Sequence, residues 1–327
     1  MVLNSQQITI LCQVAKVAAV EAGKYIQSRV QDHFEINLKE ADRSLASTIV
    51  TEVDLESQEI ILKQIEPTLK QYNLGFLSEE SDDDGSRLIK DYFWAIDPLD
   101  GTLAFTRFLY GYSVSISLVS QDGISVIGVI YDPVRERMYE SILNKGCFVN
   151  STPVLNFLPL KDVSEYLPCS INNSELVKRT SKVSDVNQYW EKVILANLTA
   201  QFKDAPTEQL IDNPPLWIMD QSFFDSVEMG YATRIVEGFF QLKGISNFSI
   251  IAQGGAAMNS MWLLEFPHAF YFKPNRTKEG GGAIWDFAAA SLILNEAGKT
   301  AVTFKGEPLV LNSPAGLYMN LQGYFAT

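Results

Sequence analysis

The chain begins with apolar residues that recur at three- and four-residue spacing. Between Gln6 and Val30 this spacing is followed by Ile8, Leu11, Val14, Ala15, Ala18 and Ala22. A repeat close to 3.6 residues places such side chains on one face of a helix. We therefore predict an amphipathic helix that packs on one side. A second helical pattern covers Leu55–Tyr72 and is predicted to break near Pro67, which lacks a backbone donor.

Short apolar runs bounded by turn residues predict strands in the first half of the chain. Leu74–Leu77 and the aromatic-rich Tyr92–Ile96 are the first two such runs. The Asp-Gly pair at 122–123 is typical of a hairpin turn. An antiparallel meander is predicted from the runs that surround and follow this turn, at Tyr112–Ser120, Ile124–Tyr131, Met138–Ile142 and Cys147–Val149.

The second half of the chain alternates helical and strand patterns less clearly. Helices are predicted at Ser226–Phe240, from about Gln253 to Leu264 and at Ser291–Gly298, with a strand at Phe248–Ile251. The segment 156–215 is polar with scattered prolines and carries no chemical motif, so we interpret it as an insertion. It could form a lid, an oligomer contact or a surface elaboration.

Composition narrows the class of protein. The 327 residues, 46% of them apolar, suffice for one large domain or two closely joined ones. The net charge of −13 argues against a nucleic-acid duplex as partner. No apolar run approaches the roughly 20 residues that span a bilayer, and the polar N-terminus lacks the features of a signal peptide, so we expect a soluble, cytoplasmic protein that does not bind membranes. Three scattered cysteines and two histidines predict reduced thiols and no zinc site.

The most informative stretch is Asp97-Pro98-Leu99-Asp100-Gly101-Thr102, directly after the predicted strand 92–96. Asp97 stands where open α/β sheets bind their ligands, at the carboxyl end of a strand. Pro98 should end the strand and turn the backbone, so that both carboxylates point into one small volume. Two such carboxylates repel each other unless a hard cation such as Mg²⁺ lies between them.

The two residues that follow these acids add an anion site. Gly101 and Thr102 open a predicted short helix over 102–108, whose free amides can bind phosphate. A metal beside an anion pocket indicates phosphoryl chemistry. A surface turn is the alternative interpretation, because Asp, Pro and Gly all favour turns.

The sequence 97–102 resembles the signature of the inositol monophosphatase family, magnesium-dependent and lithium-sensitive phosphomonoesterases that include 3'(2'),5'-bisphosphate nucleotidases. The resemblance implies a layered αβαβα fold of the α/β class, with residues 1–150 as the metal-carrying half and 151–327 as the half that closes the cleft. It also implies two or three Mg²⁺ ions, a small phosphorylated substrate and a possible homodimer.

The same resemblance assigns roles to residues on both sides of the signature. Asp54 takes the place of the acid that orients the signature threonine, although an Asp before a helix is commonly a cap. Glu79, in Ser78-Glu79-Glu80, takes the place of the glutamate that binds metal and orients the attacking water. Thr102, Glu79 and Asp54 are therefore the expected catalytic residues, and Gly101 and Thr102 the expected phosphate-binding residues.

Two later stretches complete the resemblance. Ala283-Ile284-Trp285-Asp286 matches the second family signature, so the implied metal ligands are Glu79, Asp97, the Leu99 carbonyl, Asp100 and Asp286. Gly254, Gly255 and Ala256 take the places of a turn that contacts the substrate, although Gly255 lacks the family's usual hydroxyl. Glu279 stands seven residues before Asp286, where an acid that binds an inositol hydroxyl is often found.

The substrate remains open between three hypotheses. The turn at 254–257 favours an inositol monophosphate or a related sugar phosphate, whereas Ser78-Glu79-Glu80 favours 3'-phosphoadenosine 5'-phosphate. A catalytically silent binding or regulatory protein on the same fold is the third.

Overall fold

The computed structural model of this protein describes residues 2–30, 36–38, 49–156, 188–226, 228–276, 280 and 282–327. The first half of the chain forms α1 (Ser5–Arg29), β1 (Ile36–Leu38), β2 (Ile49–Thr51), α2 (Glu52–Tyr72), β3 (Gly75–Ser78), β4 (Tyr92–Asp100), α3 (Thr102–Thr106), β5 (Ser113–Ser120), β6 (Ser125–Asp132), β7 (Arg137–Ile142), β8 (Cys147–Val149) and β9 (Thr152–Pro153). The second half forms α4 (Gln188–Phe202), α5 (Thr207–Asp212), β10 (Leu216–Ile218), α6 (Gln221–Phe224), α7 (Met229–Leu242), β11 (Ser249–Ile251), α8 (Ala256–Glu265), β12 (Ala269–Lys273), α9 (Ile284–Glu296), β13 (Ala301–Val302) and β14 (Tyr324–Ala326).

Two mixed sheets organise these elements. Strands β3 to β9 form one sheet in chain order, in which β3 and β4 are parallel and the remaining neighbours are antiparallel. The second sheet has the order β11-β10-β12-β14-β13, with β10 parallel to both of its neighbours. The predicted meander is therefore confirmed as the larger sheet.

Alternating side chains on the strands divide the interior into three apolar layers. Trp94 and Ile96 of β4 face α1 and α2, whereas Phe93 and Ala95 face α8 and α9 between the sheets. Beyond the smaller sheet, Phe270 and Phe272 of β12 pack with α4 and α7. The succession of helices, sheet, helices, sheet and helices is the αβαβα arrangement expected from the sequence. Successive side chains of a strand point to opposite faces of the sheet, so a sheet between two helical layers needs apolar residues at both sets of alternate positions.

The helix α2 differs from its prediction. It begins at Glu52 and runs through Pro67 without a break. The ring of Pro67 lies on the exposed side, while Ile61, Ile65 and Thr68 are buried on the sheet side. Buried residues precede and follow the proline in the sequence, so packing against the sheet holds both segments in one helix. This packing outweighs the one backbone hydrogen bond that the proline cannot donate.

The strand β4 also differs, because it continues past Pro98 to Asp100. Asp97 pairs with Ser115 and Asp100 with Ser113, so one extra residue of β4 is accommodated between the two pairs. Such a bulge tolerates a proline and redirects the side chains on either side of it. The proline thus bends the strand instead of ending it.

The segment 156–215 is only partly a surface feature. Residues 157–187 lie outside the described part of the chain, but α4 buries Trp190, Ile194, Leu198 and Phe202 against the smaller sheet. These residues recur every four positions, a helical signal that was not recognised in the sequence. In the part of the chain that the structure describes, no helix is both long and apolar enough to cross a membrane.

Candidate active site

Three acidic side chains from distant parts of the chain meet at one place. Glu79 follows β3, Asp97 lies on β4 and Asp286 lies in the first turn of α9. Each offers a carboxylate oxygen within 4.8 Å of the oxygens of the other two. Because β3 and β4 are parallel neighbours, the backbone amide of Glu79 donates to the carbonyl of Ile96, 3.1 Å away. The sheet itself therefore brings the first two acids together.

The third acid is delivered by close packing of α9. Ser115 Oγ on β5 donates to the carbonyl of Trp285 at 3.0 Å. A Cβ atom on Gly128 of β6 would come within 2.7 Å of the Ala289 carbonyl, so the strand and the helix can approach only with small residues between them. This contact holds the first turn of α9, and Asp286 with it, over the larger sheet.

Burial and mutual repulsion oppose the ionisation of the clustered carboxyl groups. Burial, followed by the charges of Glu79, Asp100 and Asp286, holds the pKa of Asp97 well above its usual range. Burial and Glu79 raise the pKa of Asp286 to about 6, against the opposing effect of Lys273. Carboxylates gathered this closely are ionised at little cost only beside a cation. An all-oxygen donor set of this kind fits Mg²⁺, so the residues present suit the metal implied by the sequence.

Beside the cluster, the Thr102 hydroxyl is held by Asp54. Thr102 Oγ lies 2.9 Å from Asp54 Oδ1 and 3.1 Å from the Leu99 carbonyl oxygen, both of which are acceptors. Asp54 also accepts from the amide and the hydroxyl of Thr51, at 2.8 and 2.6 Å. Thr51 is the residue that caps α2, and Asp54 stands three positions later in a capping box. Asp54 therefore completes the helix cap with Oδ2 and accepts the hydrogen bond of Thr102 with Oδ1.

Asp100 borders the same place but has different partners. Its carboxylate accepts hydrogen bonds from the backbone amides of Ala256 and Ala257, both at 2.9 Å, at the start of α8. It is not one of the three acids in the close cluster. The amides of the predicted substrate-contacting turn are therefore engaged by Asp100, and the roles of Asp100, Gly254, Gly255 and Ala256 toward metal or substrate stay predictions.

The missing hydroxyl at Gly255 has a steric explanation. A Cβ atom at this position would lie 2.3–2.5 Å from the atoms of the Asp100 carboxylate. Since real Cβ atoms do not approach so closely, any side chain here would displace Asp100. Gly255 and the position of Asp100 are therefore coupled.

The three clustered acids, Asp100 and Thr102 all line one cavity, which has a volume of about 110 Å³, whereas Asp54 lies behind Thr102 and does not line it. Its lining includes every described residue predicted to bind metal, phosphate or substrate, including the Gly101 and Thr102 that open α3. Glu279 lies outside the described residues. Among the described residues, the lining holds five acids, Glu79, Asp97, Asp100, Asp220 and Asp286, and one base, Lys273. An anionic ester could enter such a cavity only together with cations.

Two of these lining residues were missed in the sequence. Asp220 follows β10 and Lys273 ends β12, and the two form an ion pair with Nζ and Oδ2 2.5 Å apart. Both lie at the carboxyl ends of neighbouring parallel strands, the position that identified Asp97. The uninterrupted apolar run at 269–272 before Lys273 was the signal available in the sequence.

The fold and the acid cluster define an αβαβα protein with a candidate magnesium centre between two sheets. The model of the inositol monophosphatase family matches residues 8–326, and the chain belongs to this family.

Two curated relatives and a solved structure show how distant the similarity is. The chain is 24% identical to the inositol-1-monophosphatase of Bacillus subtilis, over 90% of this chain and 86% of that protein. It is 26% identical to inositol monophosphatase 1 of Sus scrofa, over 91% and 85% of the two chains. The structure of inositol monophosphatase from Anabaena superposes with a TM-score of 0.58 at 20% identity, covering 98% of this chain and 90% of that one, which supports the fold alone.

Proposed function

We propose that this protein hydrolyses a small phosphomonoester, an inositol monophosphate or a related sugar phosphate, in a magnesium-dependent reaction. The observation that carries the proposal is the convergence of Glu79, Asp97 and Asp286 within 4.8 Å of one another at the wall of a cavity. Carboxylates gathered this closely repel one another, and a bound divalent cation would offset that repulsion. Family membership supports phosphatase activity in general terms.

The ions would be held by Glu79, Asp97, Asp286, the Leu99 carbonyl and Asp100. When bound there, Mg²⁺ neutralises the ester's charge and lowers the pKa of bound water. The residues around the cluster have separate tasks: Gly101 and Thr102 border the cavity beside the acids, where their amides would hold the phosphate oxygens.

Thr102 and Asp54 would orient the attacking water. Burial raises the pKa of Asp54 to about 6, so the carboxylate is ionised at neutral pH and can only accept hydrogen bonds. When Thr102 donates a hydrogen bond to Asp54, the lone pairs of its oxygen are left to accept a hydrogen bond from the attacking water. Glu79 would accept one proton of that water as its oxygen attacks phosphorus, and the other proton stays on the released phosphate. The bond from phosphorus to the alcohol oxygen breaks, the alcohol takes up a proton in place of the one given to Glu79, and no covalent intermediate is needed.

The 3'(2'),5'-bisphosphate nucleotidase hypothesis loses part of its support from the sequence. Ser78 is buried, and its hydroxyl donates to Gln58 Oε1 at 2.5 Å instead of facing the cavity. This residue therefore carries no direct information about the substrate. The choice between a sugar phosphate and a bisphosphate nucleotide as substrate depends on the residues that line the cavity beyond the acids.

The test is phosphate release from inositol monophosphates, 3'-phosphoadenosine 5'-phosphate and fructose 1,6-bisphosphate, with and without Mg²⁺. We expect magnesium-dependent release from at least one substrate, inhibition by lithium, and a loss of at least about 10³-fold in Asp97→Asn, since each charge-stabilising contact contributes on this scale. Asp122→Asn, on the exposed hairpin turn of the larger sheet, is the control. No release with any divalent ion would favour the silent binding protein instead.

A further inference from the structure

The candidate metal ligand Glu79 lies in a turn, residues 78–81, which begins at the last residue of β3. Within the turn, the Ser81 amide donates to the Ser78 carbonyl at 3.4 Å, which is long for a hydrogen bond between backbone groups. The bond from the Glu79 amide to the Ile96 carbonyl fixes only one point of the turn. The direction of the Glu79 side chain therefore depends on what else holds residues 78–81.

The side-chain amide of Gln58 binds this turn on both sides of Glu79. The hydroxyl of Ser78 donates to Gln58 Oε1 at 2.5 Å. Gln58 Nε2 lies 3.0 Å from Ser81 Oγ and 3.3 Å from the Glu80 carbonyl oxygen, to which it donates. One buried side chain thus contacts three of the four residues of the turn.

The helix α2 places Gln58 where it can do this. Gln58 is 8% exposed and follows Asp54 by four residues, so the two side chains lie one turn apart on the same face of the helix. Ile61, about one turn further along, is fully buried in the core and fixes this face. Asp54 holds Thr102, and Gln58 holds the turn that carries Glu79. One helix face therefore supports both groups that would act on the attacking water.

A neutral amide suits this position for two reasons. It accepts from Ser78 and donates to the Glu80 carbonyl at the same time, which a carboxylate cannot do. It also adds no negative charge near Asp54 and Glu79. The chemistry of Gln58 thus matches a contact that fixes an acidic turn without adding to its repulsion.

We propose that Gln58 is a positioning residue of the metal centre, which raises the affinity for Mg²⁺ by holding Glu79 in the orientation that binds the ion. The inference rests on the magnesium centre of the proposed function. Gln58 does not line the acidic cavity and acts through Glu79. A ligand that is fixed before the ion arrives loses little conformational freedom on binding, and contacts behind a metal ligand supply this fixation.

The test is the melting temperature of the full chain over a series of Mg²⁺ concentrations, which gives an apparent Kd for the ion. Gln58→Met keeps the length of the side chain and removes its hydrogen bonds. We expect its Kd to be at least about tenfold higher than that of the wild type, the usual effect of losing a contact behind a metal ligand. In phosphate-release assays the Mg²⁺ concentration for half-maximal rate should rise by the same factor, with the substrate KM at saturating Mg²⁺ unchanged.

Gln64→Met is the matched control, because it makes the same substitution on the same helix. The Gln64 amide donates to Glu21 on α1, away from the turn, so this variant should keep the wild-type Kd for Mg²⁺. Should Gln58→Met fail to fold, Ser78→Ala takes its place. It removes one of the three hydrogen bonds and should raise the Kd about threefold.

The outcomes separate this inference from the proposed function. A folded Gln58→Met protein that binds Mg²⁺ as tightly as the wild type, even with a lower melting temperature in chelator, would make Gln58 merely structural and overturn the inference alone. So would an unchanged Kd in Ser78→Ala, if that variant has to decide. A tenfold shift in Kd, with no phosphate released by the wild type from any substrate, would overturn the proposed function alone. A wild type that does not respond to Mg²⁺ would overturn both.

Discussion

At the scale of single residues, the site depends on side chains that serve structure and chemistry together. Asp54 closes the first turn of α2 through Thr51 and positions Thr102, which is 48 residues away in the chain. The two interpretations of Asp54 that the sequence left open, a cap and an orienting acid, are therefore compatible. A residue bound on both sides in this way has little freedom to move, which suits the positioning of a water molecule.

Replacing Thr102 by Val removes the hydroxyl and keeps the shape of the side chain. We expect kcat to fall about 10²–10³-fold, the scale of one lost contact that positions the reacting water, with little change in KM or in the magnesium requirement. Steady-state kinetics on the best substrate of the panel provides the measurement. Thr106→Val is the matched control, since that hydroxyl only donates to the Leu103 carbonyl within α3. An unchanged kcat in Thr102→Val would remove Thr102 from the chemistry.

At the scale of elements, the first residue of α8 is tied to β4. The Asp100 carboxylate satisfies amides at the N-terminus of α8, where a negative charge is also favoured by the helix dipole. Gly255 caps the helix with φ −67°, a conformation open to any residue, so only the nearness of Asp100 requires glycine there. The strand, the turn and the helix therefore form one unit at the cavity wall.

Substitution of Gly255 by Ala tests this unit. The added methyl group would displace the Asp100 carboxylate, and we expect a loss of about 1–3 kcal/mol in the free energy of unfolding, as for other overpacked sites. Gly238→Ala on α7, where no atom lies near the new methyl group, should instead be neutral or stabilising. Denaturant unfolding of both variants makes the comparison. Equal stability of the two variants would show that Asp100 and Gly255 are not coupled.

The sequence predicted many of the helices and strands, because the patterns that indicate them lie within short stretches of the chain. The meander around Asp122-Gly123, the first helix and the run of acid, proline and glycine at 97–102 follow from periodicity and turn chemistry. Strands β10 and β12 were missed since they are short and fully buried, and buried runs lack the alternation that marks a half-exposed strand. The second charged pair, Asp220 with Lys273, could not be found before those strands were known to be neighbours.

At the scale of the whole molecule, the fold concentrates negative charge that the chain spreads over more than 200 positions. Glu79 and Asp97 belong to the larger sheet, and Asp286 comes from the helical layer between the sheets. Packing of the layers brings these charges together, so part of the folding free energy is spent on their repulsion when no cation is bound. We therefore expect the metal-free protein to have a lower free energy of unfolding than the same fold would have without this repulsion.

The measurement that tests this most directly is the free energy of unfolding of Asp97→Asn at pH 7.5, in a chelator and in excess Mg²⁺, beside wild type and Asp122→Asn. The introduced asparagine can still accept from the Leu99 amide, as Asp97 does at 3.0 Å, but carries no charge. We predict that Asp97→Asn stabilises the metal-free protein by about 1–3 kcal/mol and abolishes most of the stabilisation by Mg²⁺ that wild type and Asp122→Asn retain. A metal-free Asp97→Asn protein less stable than wild type, with its response to Mg²⁺ unchanged, would contradict the account.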